Sequence, residues 1–360
     1  MQERITGFDF ARALALLGMI LVNFKMAMNA ETGSNILLSF TTLLQGRASA
    51  LFVILAGIGV TLISKRARFS DDIALIASTR SNLIHRAVLL ILVGLLFTFI
   101  WEGDILVFYG FYFLVAASLF TKKDKTLLVA SVTALLLFPL LLIFFDYEKN
   151  WDWSTLTYTD LWSTGGLIRR IFYNGFHPIF PWASFMIFGM WLARQDLANR
   201  EMRRKLLINS LALLLITEIG CYLLKTIYLN HMANESETED IMFLFSTAVM
   251  PPLPQYIISA GSSSVIVIIG SLYFCEKFPT FHVSNWLCQT GQMTLTLYVS
   301  HVIFGMGFLQ SIGLLENQSI DFSVTAALMF YAAAIFFSVF WLTHFKAGPL
   351  EYVFRKITKR

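Results

Sequence analysis

Charge is scarce in this chain, cysteine is nearly missing, and the common catalytic signatures are absent. Only 14% of the 360 residues are charged and 57% are hydrophobic, whereas a soluble domain is about one quarter charged. That excludes a water-soluble globule and leaves an integral membrane protein. The three cysteines, Cys221, Cys275 and Cys288, show neither a CxxC pair nor zinc spacing, so neither a disulfide framework nor a metal site is expected. There is no G-x-x-x-x-G-K-[ST] loop, no H-E-x-x-H and no G-x-S-x-G elbow, which removes the usual marks of ATP hydrolysis, zinc proteolysis and serine hydrolysis. Internal repeats and low-complexity tracts are lacking as well.

What fills the chain is apolar runs. A helix needs about 20 apolar residues to cross the hydrocarbon layer, and candidate runs occur near 8–27, 48–64, 87–102, 105–121, 126–145, 178–194, 206–229, 254–275, 292–313 and 322–343. The expectation is an all-α integral membrane protein of about ten transmembrane helices, forming a single polytopic domain over 1–360. With the N-terminus in the cytoplasm, most of the 27 basic residues fall inside, from Arg4 through Lys65, Arg66, Arg80, Lys122, Arg194 and Arg204 to Lys359 and Arg360. Lys25, Arg47, Lys149, Arg169, Arg170 and the acidic run "NESETEDI" fall outside. The positive-inside rule then places both termini in the cytoplasm. The first apolar run has no small-residue cleavage pattern and reads as a retained span rather than a signal peptide. The net positive charge follows from this topology, and no nucleic-acid partner is expected. Outer links at 146–177 and 230–253 are long, the first rich in Trp and Tyr and the second ending in "MPPLP". The segment 34–47 is too short to span and is expected to lie in the interface or fold back.

An ionisable group inside a span costs roughly 2.5–3.5 kcal/mol at its centre on insertion scales, so each is a functional candidate. "FDFARALALLGMILVNF" sets Asp9 and Arg12 at i, i+3, where they can pair on one helix face, with Asn23 at the other end. "WEGDIL" brings Glu102 and Asp104 into one tight turn, as an acid or base or as anchors for a sugar hydroxyl; the same pattern serves as a plain turn signal. "NGFHPIFPW" puts His177 before a proline-bounded span, near Arg169 and Arg170. Its imidazole has the pKa range of a general base. His301 falls mid-span in "TLTLYVSHVIFGMGF", where a helix-bonded core histidine is the competing reading. Glu218 and Lys225 share a face of the seventh span but are too far apart to pair, so each needs a partner on another helix.

"GFDFARALALLGMILVNF", "LLQGRASALFVILAGIGVTL", "HRAVLLILVGLLFTFIWEGDILVFYG", "FPWASFMIFGMWLAR", "PPLPQYIISAGSSSVIVIIG", "GQMTLTLYVSH" and "FKAGPLEYVFRK" follow one another along the chain. In that order they resemble the YeiB-like bacterial membrane proteins, relatives of heparan-α-glucosaminide N-acetyltransferase within the transmembrane acyltransferases. The resemblance implies a multi-helix transferase that takes acetyl-CoA from the cytoplasmic side and acetylates a sugar on the far side. Asp9 and Arg12 occupy the family's D-x-x-R positions, and Asn23 its V-N asparagine, which lies at the active site in the acetyltransferase relatives. Ala13 stands where the family usually has Gly. Those relatives carry a catalytic His shortly after V-N, whereas the first His here is His85.

The expected function is therefore an acyltransferase of the bacterial cytoplasmic membrane, with acetyl-CoA as donor and an extracytoplasmic sugar or envelope acceptor. The base is His177 or His301, with His177 preferred for its access to the outer face. Asn23 stabilises the oxyanion, and Asp104 orients the base. Asp9, Arg12, Arg47, Glu102, Arg169 and Arg170 are the candidate binding residues. Membrane lipids are expected partners, and a homo-oligomer is compatible with the sequence. The rival is a solute transporter or channel with polar intramembrane groups. A purely structural envelope protein ranks last, because it leaves the cost of those groups unexplained.

Overall fold

A computed structural model describes residues 5–231 and 235–358. Arg4, Lys359 and Arg360, counted above as inner cations, lie outside the described residues, as do Asn234 and the side chains at 235–237 and 240 of the acidic run. In chain order the elements begin with α1 (Thr6–Ala27), α2 (Asn35–Leu44), α3 (Arg47–Arg68), α4 (Ile73–Thr98), α5 (Leu106–Leu119) and α6 (Asp124–Phe144). A small hairpin of β1 (Trp151–Asp152) and β2 (Thr157–Tyr158) precedes α7 (Thr164–Arg169), a π-helical turn (Arg170–Asn174) and α8 (Ile179–Leu192). Next come α9 (Arg200–His231), α10 (Glu235–Leu244), α11 (Pro254–Lys277), α12 (His282–Gln292) and α13 (Thr294–Ser300). A second π-helical turn (His301–Met306), α14 (Gly307–Ser311), α15 (Ile320–His344) and α16 (Pro349–Thr358) complete the described chain.

This is an all-α, multi-pass membrane protein. Among the described residues seven helical stretches are long and apolar enough to cross a membrane: α1, α2 together with α3 (Asn35–Arg68), α4, α6, α9, α11 and α15. Helix α12 and the run Thr294–Ser311 make an eighth if counted as one span broken by a 76° bend. The other two expected spans are α5 and α8, of 14 residues each. At 1.5 Å per residue each covers about 21 Å, short of the ~30 Å hydrocarbon layer. Among the described residues the count of ten thus becomes seven candidate spans, or eight with the bent pair, and two short apolar helices. The third run also starts earlier than its hydropathy suggests. Asp72 accepts the Ala74 and Leu75 amides at 2.8 and 3.2 Å, and this N-cap nucleates α4 well ahead of the apolar stretch at 87.

The helices assemble into two compact units, one comprising the chain up to Leu55 together with the chain from Ser264 onward, the other Ala56–Ser263. In the first, α1 is the central rod, packed against α12, α13 and α15. Its approach to α12 is so close that a Cβ at Gly291 would overlap the Asp9 carbonyl oxygen. Tyr331 of α15 donates its hydroxyl to the Ala13 carbonyl at 2.8 Å. In the second unit α4 pairs with α5, and α6 with α8. Thr61 of α3 donates to the Met190 carbonyl at 3.0 Å.

Replacing Gly291 by Ala should lower stability by about 3 kcal/mol, the upper range for overpacking a closed contact. Gly270→Ala, where an added Cβ meets nothing within 4 Å, should change it by less than about 0.5 kcal/mol. Thermal melting of the two detergent-purified variants checks the contrast, and equal melting temperatures would refute it.

Candidate functional site

In the first unit, α1 and the second π-helical turn bring together two residues that lie 278 positions apart. Asn23 projects from the last turns of α1, and His301 opens the π turn that continues α13. Such turns add one residue to the helical repeat and recur at functional sites. The His301 side chain is fully buried, at 0% exposure. Its Nδ1 bonds the Tyr298 carbonyl oxygen. A carbonyl only accepts, so Nδ1 carries the hydrogen, and in the neutral ring the lone pair resides on Nε2. Asn23 Nδ2 lies 3.0 Å from that Nε2 and donates to it. One tautomer is therefore set from both sides, with the basic nitrogen facing an amide.

The other candidates of this unit lie along α1 and at the start of α3. Arg12 Nη1 donates to Asp9 Oδ1 at 2.6 Å, and Asp9 is only 1% exposed. The pair sits where α12 presses on α1 at Gly291, so it joins a helix contact while the Arg12 side chain keeps 24% exposure. Lys25 pairs with Glu31 at 3.3 Å. Arg47 opens α3 and is half-buried.

The remaining candidates meet in the second unit. Arg170 is 2% exposed, donates through Nη2 to the Glu102 carbonyl at 2.6 Å, and lies over the Phe108 ring at 5.5 Å. Burial lowers its pKa, and the Asp104 and Glu102 carboxylates oppose that shift. Asp104 also accepts the Leu106 amide at 2.8 Å, capping α5. Arg169 holds both Asp160 oxygens at 2.8 and 2.6 Å and donates Nε to the Tyr158 hydroxyl at 2.7 Å. The Glu102 carboxylate accepts the Tyr158 amide at 3.2 Å.

These contacts turn the link 146–177 into folded structure built around Asn174, a residue that sequence reasoning missed. Its side chain accepts from the Tyr158 hydroxyl at 2.8 Å and donates to the Tyr147 and Lys149 carbonyls at 2.9 and 3.1 Å. Trp151 donates its indole N–H to the Asn174 carbonyl at 2.7 Å. The adjacent Gly175 is only a turn signal; no local pattern announces an amide that binds carbonyls 25 and 27 residues away.

His177 is held differently from His301. Its carbonyl accepts the Tyr112 hydroxyl at 2.5 Å, and its ring meets Trp182 and Phe108 edge-on, with centroids 4.6 and 5.9 Å away. Its Nδ1 is buried and, among the described residues, has no hydrogen-bond partner. Burial, and secondarily the Arg170 guanidinium, push its pKa down to about 3. Such a ring stays neutral at physiological pH. What separates the preferred His177 from His301 is hydrogen bonding: both ring nitrogens of His301 are partnered, whereas His177 Nδ1 has no partner among the described residues. Asp104, expected to orient the base, serves the α5 terminus and Arg170.

Fold and polar groups define a multi-pass helical membrane protein in which an asparagine amide meets a buried histidine. Residues 4–233 match the family model described as "Heparan-alpha-glucosaminide N-acetyltransferase, catalytic", and residues 191–360 match one described as "Protein of unknown function (DUF418)". The first match covers more than half of the chain, which belongs to the heparan-α-glucosaminide N-acetyltransferase catalytic family. The uncharacterized protein YxaH of Bacillus subtilis (strain 168) is 23% identical over 411 aligned positions, spanning 99% of this chain and 94% of the relative. Asn23 falls in the first matched region and His301 in the second.

The buried His177 ties stability to pH. It protonates near 6.5 in an unfolded chain and near 3 in the folded one, so between these values the unfolded state binds more protons and folding weakens as pH falls. Melting temperatures should drop from pH 7 to pH 5, and His177→Gln should reduce that drop. An unchanged slope would sink the assignment.

Proposed function

We propose that the protein is a membrane acyltransferase that moves an acetyl group from cytoplasmic acetyl-CoA to a hydroxyl or amine of an extracytoplasmic sugar or envelope acceptor. Both termini lie in the cytoplasm of a bacterial cell in this reading, as the positive-inside rule favours. The observation that carries it is the 3.0 Å contact between Asn23 Nδ2 and His301 Nε2, joined to the family membership.

In the proposed reaction the acceptor takes the place of the Asn23 amide at His301 Nε2. That nitrogen removes the acceptor proton as the acceptor atom bonds to the acyl carbon. The freed Asn23 N–H then donates to the carbonyl oxygen as it gains negative charge. Collapse breaks the carbon–sulfur bond, and the leaving thiolate recovers the proton from His301. The Nδ1 hydrogen bond to Tyr298 holds the ring in orientation throughout and stabilises its cationic form. Exposed Lys277, Lys346, Arg355 and Lys356 of the same unit suit the phosphates of the donor, as charge-assisted hydrogen bonds are the strong ones.

A solute carrier is the second reading, favoured by Glu218. This carboxylate in α9 accepts from the Ser259 hydroxyl, and from the Thr247 hydroxyl at 3.1 Å, and an intramembrane acid of this kind often marks an ion or solute path.

Incubating the protein in liposomes with labelled acetyl-CoA and a sugar panel separates the readings. His301→Ala should slow transfer by about 10²–10⁴ and Asn23→Ala by about 10²–10³, whereas His177→Ala should stay within a few-fold. Wild-type transfer by His301→Ala would remove the proposed base, and solute uptake without transfer would favour the carrier.

A further inference from the structure

We infer that Glu351, on α16, is a positioning residue that sets His301 against Asn23 by clasping the start of α13. The inference deepens the proposed reaction and rests on it for its catalytic consequence, although the clasp itself is a matter of geometry.

Helix α13 is seven residues long and starts just after Met293, where the helix direction changes by 76°. A break of that size strips the first-turn N–H groups of α13 of the carbonyl partners a continuous helix would supply. Glu351 provides them. Its Oε1 accepts the Leu295 and Thr296 amides at 2.7 and 3.1 Å, and its Oε2 accepts the Thr296 hydroxyl at 2.5 Å. The Thr296 hydroxyl oxygen in turn accepts the Leu350 amide at 3.0 Å. A Cβ at Gly348 would overlap Glu351 Oε2 and come within 2.9 Å of Thr296 Oγ1, so glycine is what lets the segment close this tightly. A carboxylate at a helix N-terminus is also favoured by the helix dipole.

From that clasp to His301 runs a single stiff rod about 10 Å long. The two bonds of the imidazole depend on it differently. The Nδ1 bond goes to Tyr298, which rides on the same helix, so it survives any shift of α13. The Nε2 bond goes to Asn23 on α1, so it is the one that a displaced α13 breaks. Loss of Glu351 should therefore leave the tautomer intact and uncouple the base from its amide.

The test uses the full chain with Glu351→Ala and Glu351→Gln, read by kinetics and by nitrogen-15 NMR of labelled histidine. Glu351→Ala is expected to lower kcat by about 10²-fold, the scale of an ångström-sized misplacement, with KM for acetyl-CoA changed less than about threefold. Glu351→Gln, which keeps an acceptor for the two amides, should recover part of the loss. In the spectrum, Glu351→Ala should shift the His301 Nε2 resonance as Asn23→Ala does, while the Nδ1–H signal persists. Where Glu351→Ala does not fold, Thr296→Val carries the test, with the same signature at smaller size. A folded variant with a wild-type Nε2 resonance and wild-type kcat overturns the inference. If the wild type transfers no acyl group at all, the proposed reaction fails, yet the resonance shift still decides the clasp.

Discussion

Hydrocarbon offers no hydrogen bonds, so a polar group carried into a span must find its partner within the protein. In this chain that requirement is met mostly by local means and, at a few places, by contacts between elements far apart in sequence. Ser64 and Ser338 turn back on the carbonyls four residues earlier, Val60 and Ala334, within their own helices. Asn23, Asp9 and Glu218 cannot be satisfied so cheaply. Asn23 ties α1 to the π turn after α13, Glu218 bridges α9, α11 and Thr247, and Asp9 takes an arginine of its own helix, Arg12, where α12 presses on α1. The same groups that make the spans expensive hold them in register.

The break after α12 follows the same logic. A continuous helix from His282 to Ser311 would satisfy its own backbone but would carry residue 301 along a single axis. Bending at Met293 re-aims the second half, and the π turn at His301–Met306 adjusts the facing of the side chains again. The cost is a set of first-turn N–H groups, which the Glu351 carboxylate takes up. A broken span therefore needs a carboxylate from outside it, and α16 supplies one.

How much of this was legible in the sequence depended on whether the signal was local. The apolar runs gave the spans, because hydrocarbon thickness acts on a contiguous stretch. The start of α4 was missed because an Asp cap, rather than hydropathy, begins it. Helices α5 and α8 were overcounted, since apolar composition alone does not reveal that each stops after 14 residues. The pairing of Asp9 with Arg12 was readable from i, i+3 spacing. The contrast between the surroundings of His177 and His301 was not, because access to one face says nothing about what surrounds a ring. The His177 Nδ1 has no hydrogen-bond partner among the described residues, whereas a carbonyl and an amide frame His301.

The missing His after Val22–Asn23 is then less of a departure than it looks along the chain. What acyl transfer asks of a base is a lone pair within hydrogen-bond reach of the reacting proton, a fixed tautomer, and an N–H nearby for the developing oxyanion. None of these refers to chain position, and such constellations are recognised by geometry rather than by order in sequence. In the relatives the histidine stands shortly after the Asn in sequence. His301 reaches it from a helix packed alongside α1, which demands that the packing be held from elsewhere. In the proposed reaction, carrying the imidazole on α13 and its π turn moves part of the burden of alignment onto the segment that anchors that helix, the stretch from Gly348 to Glu351.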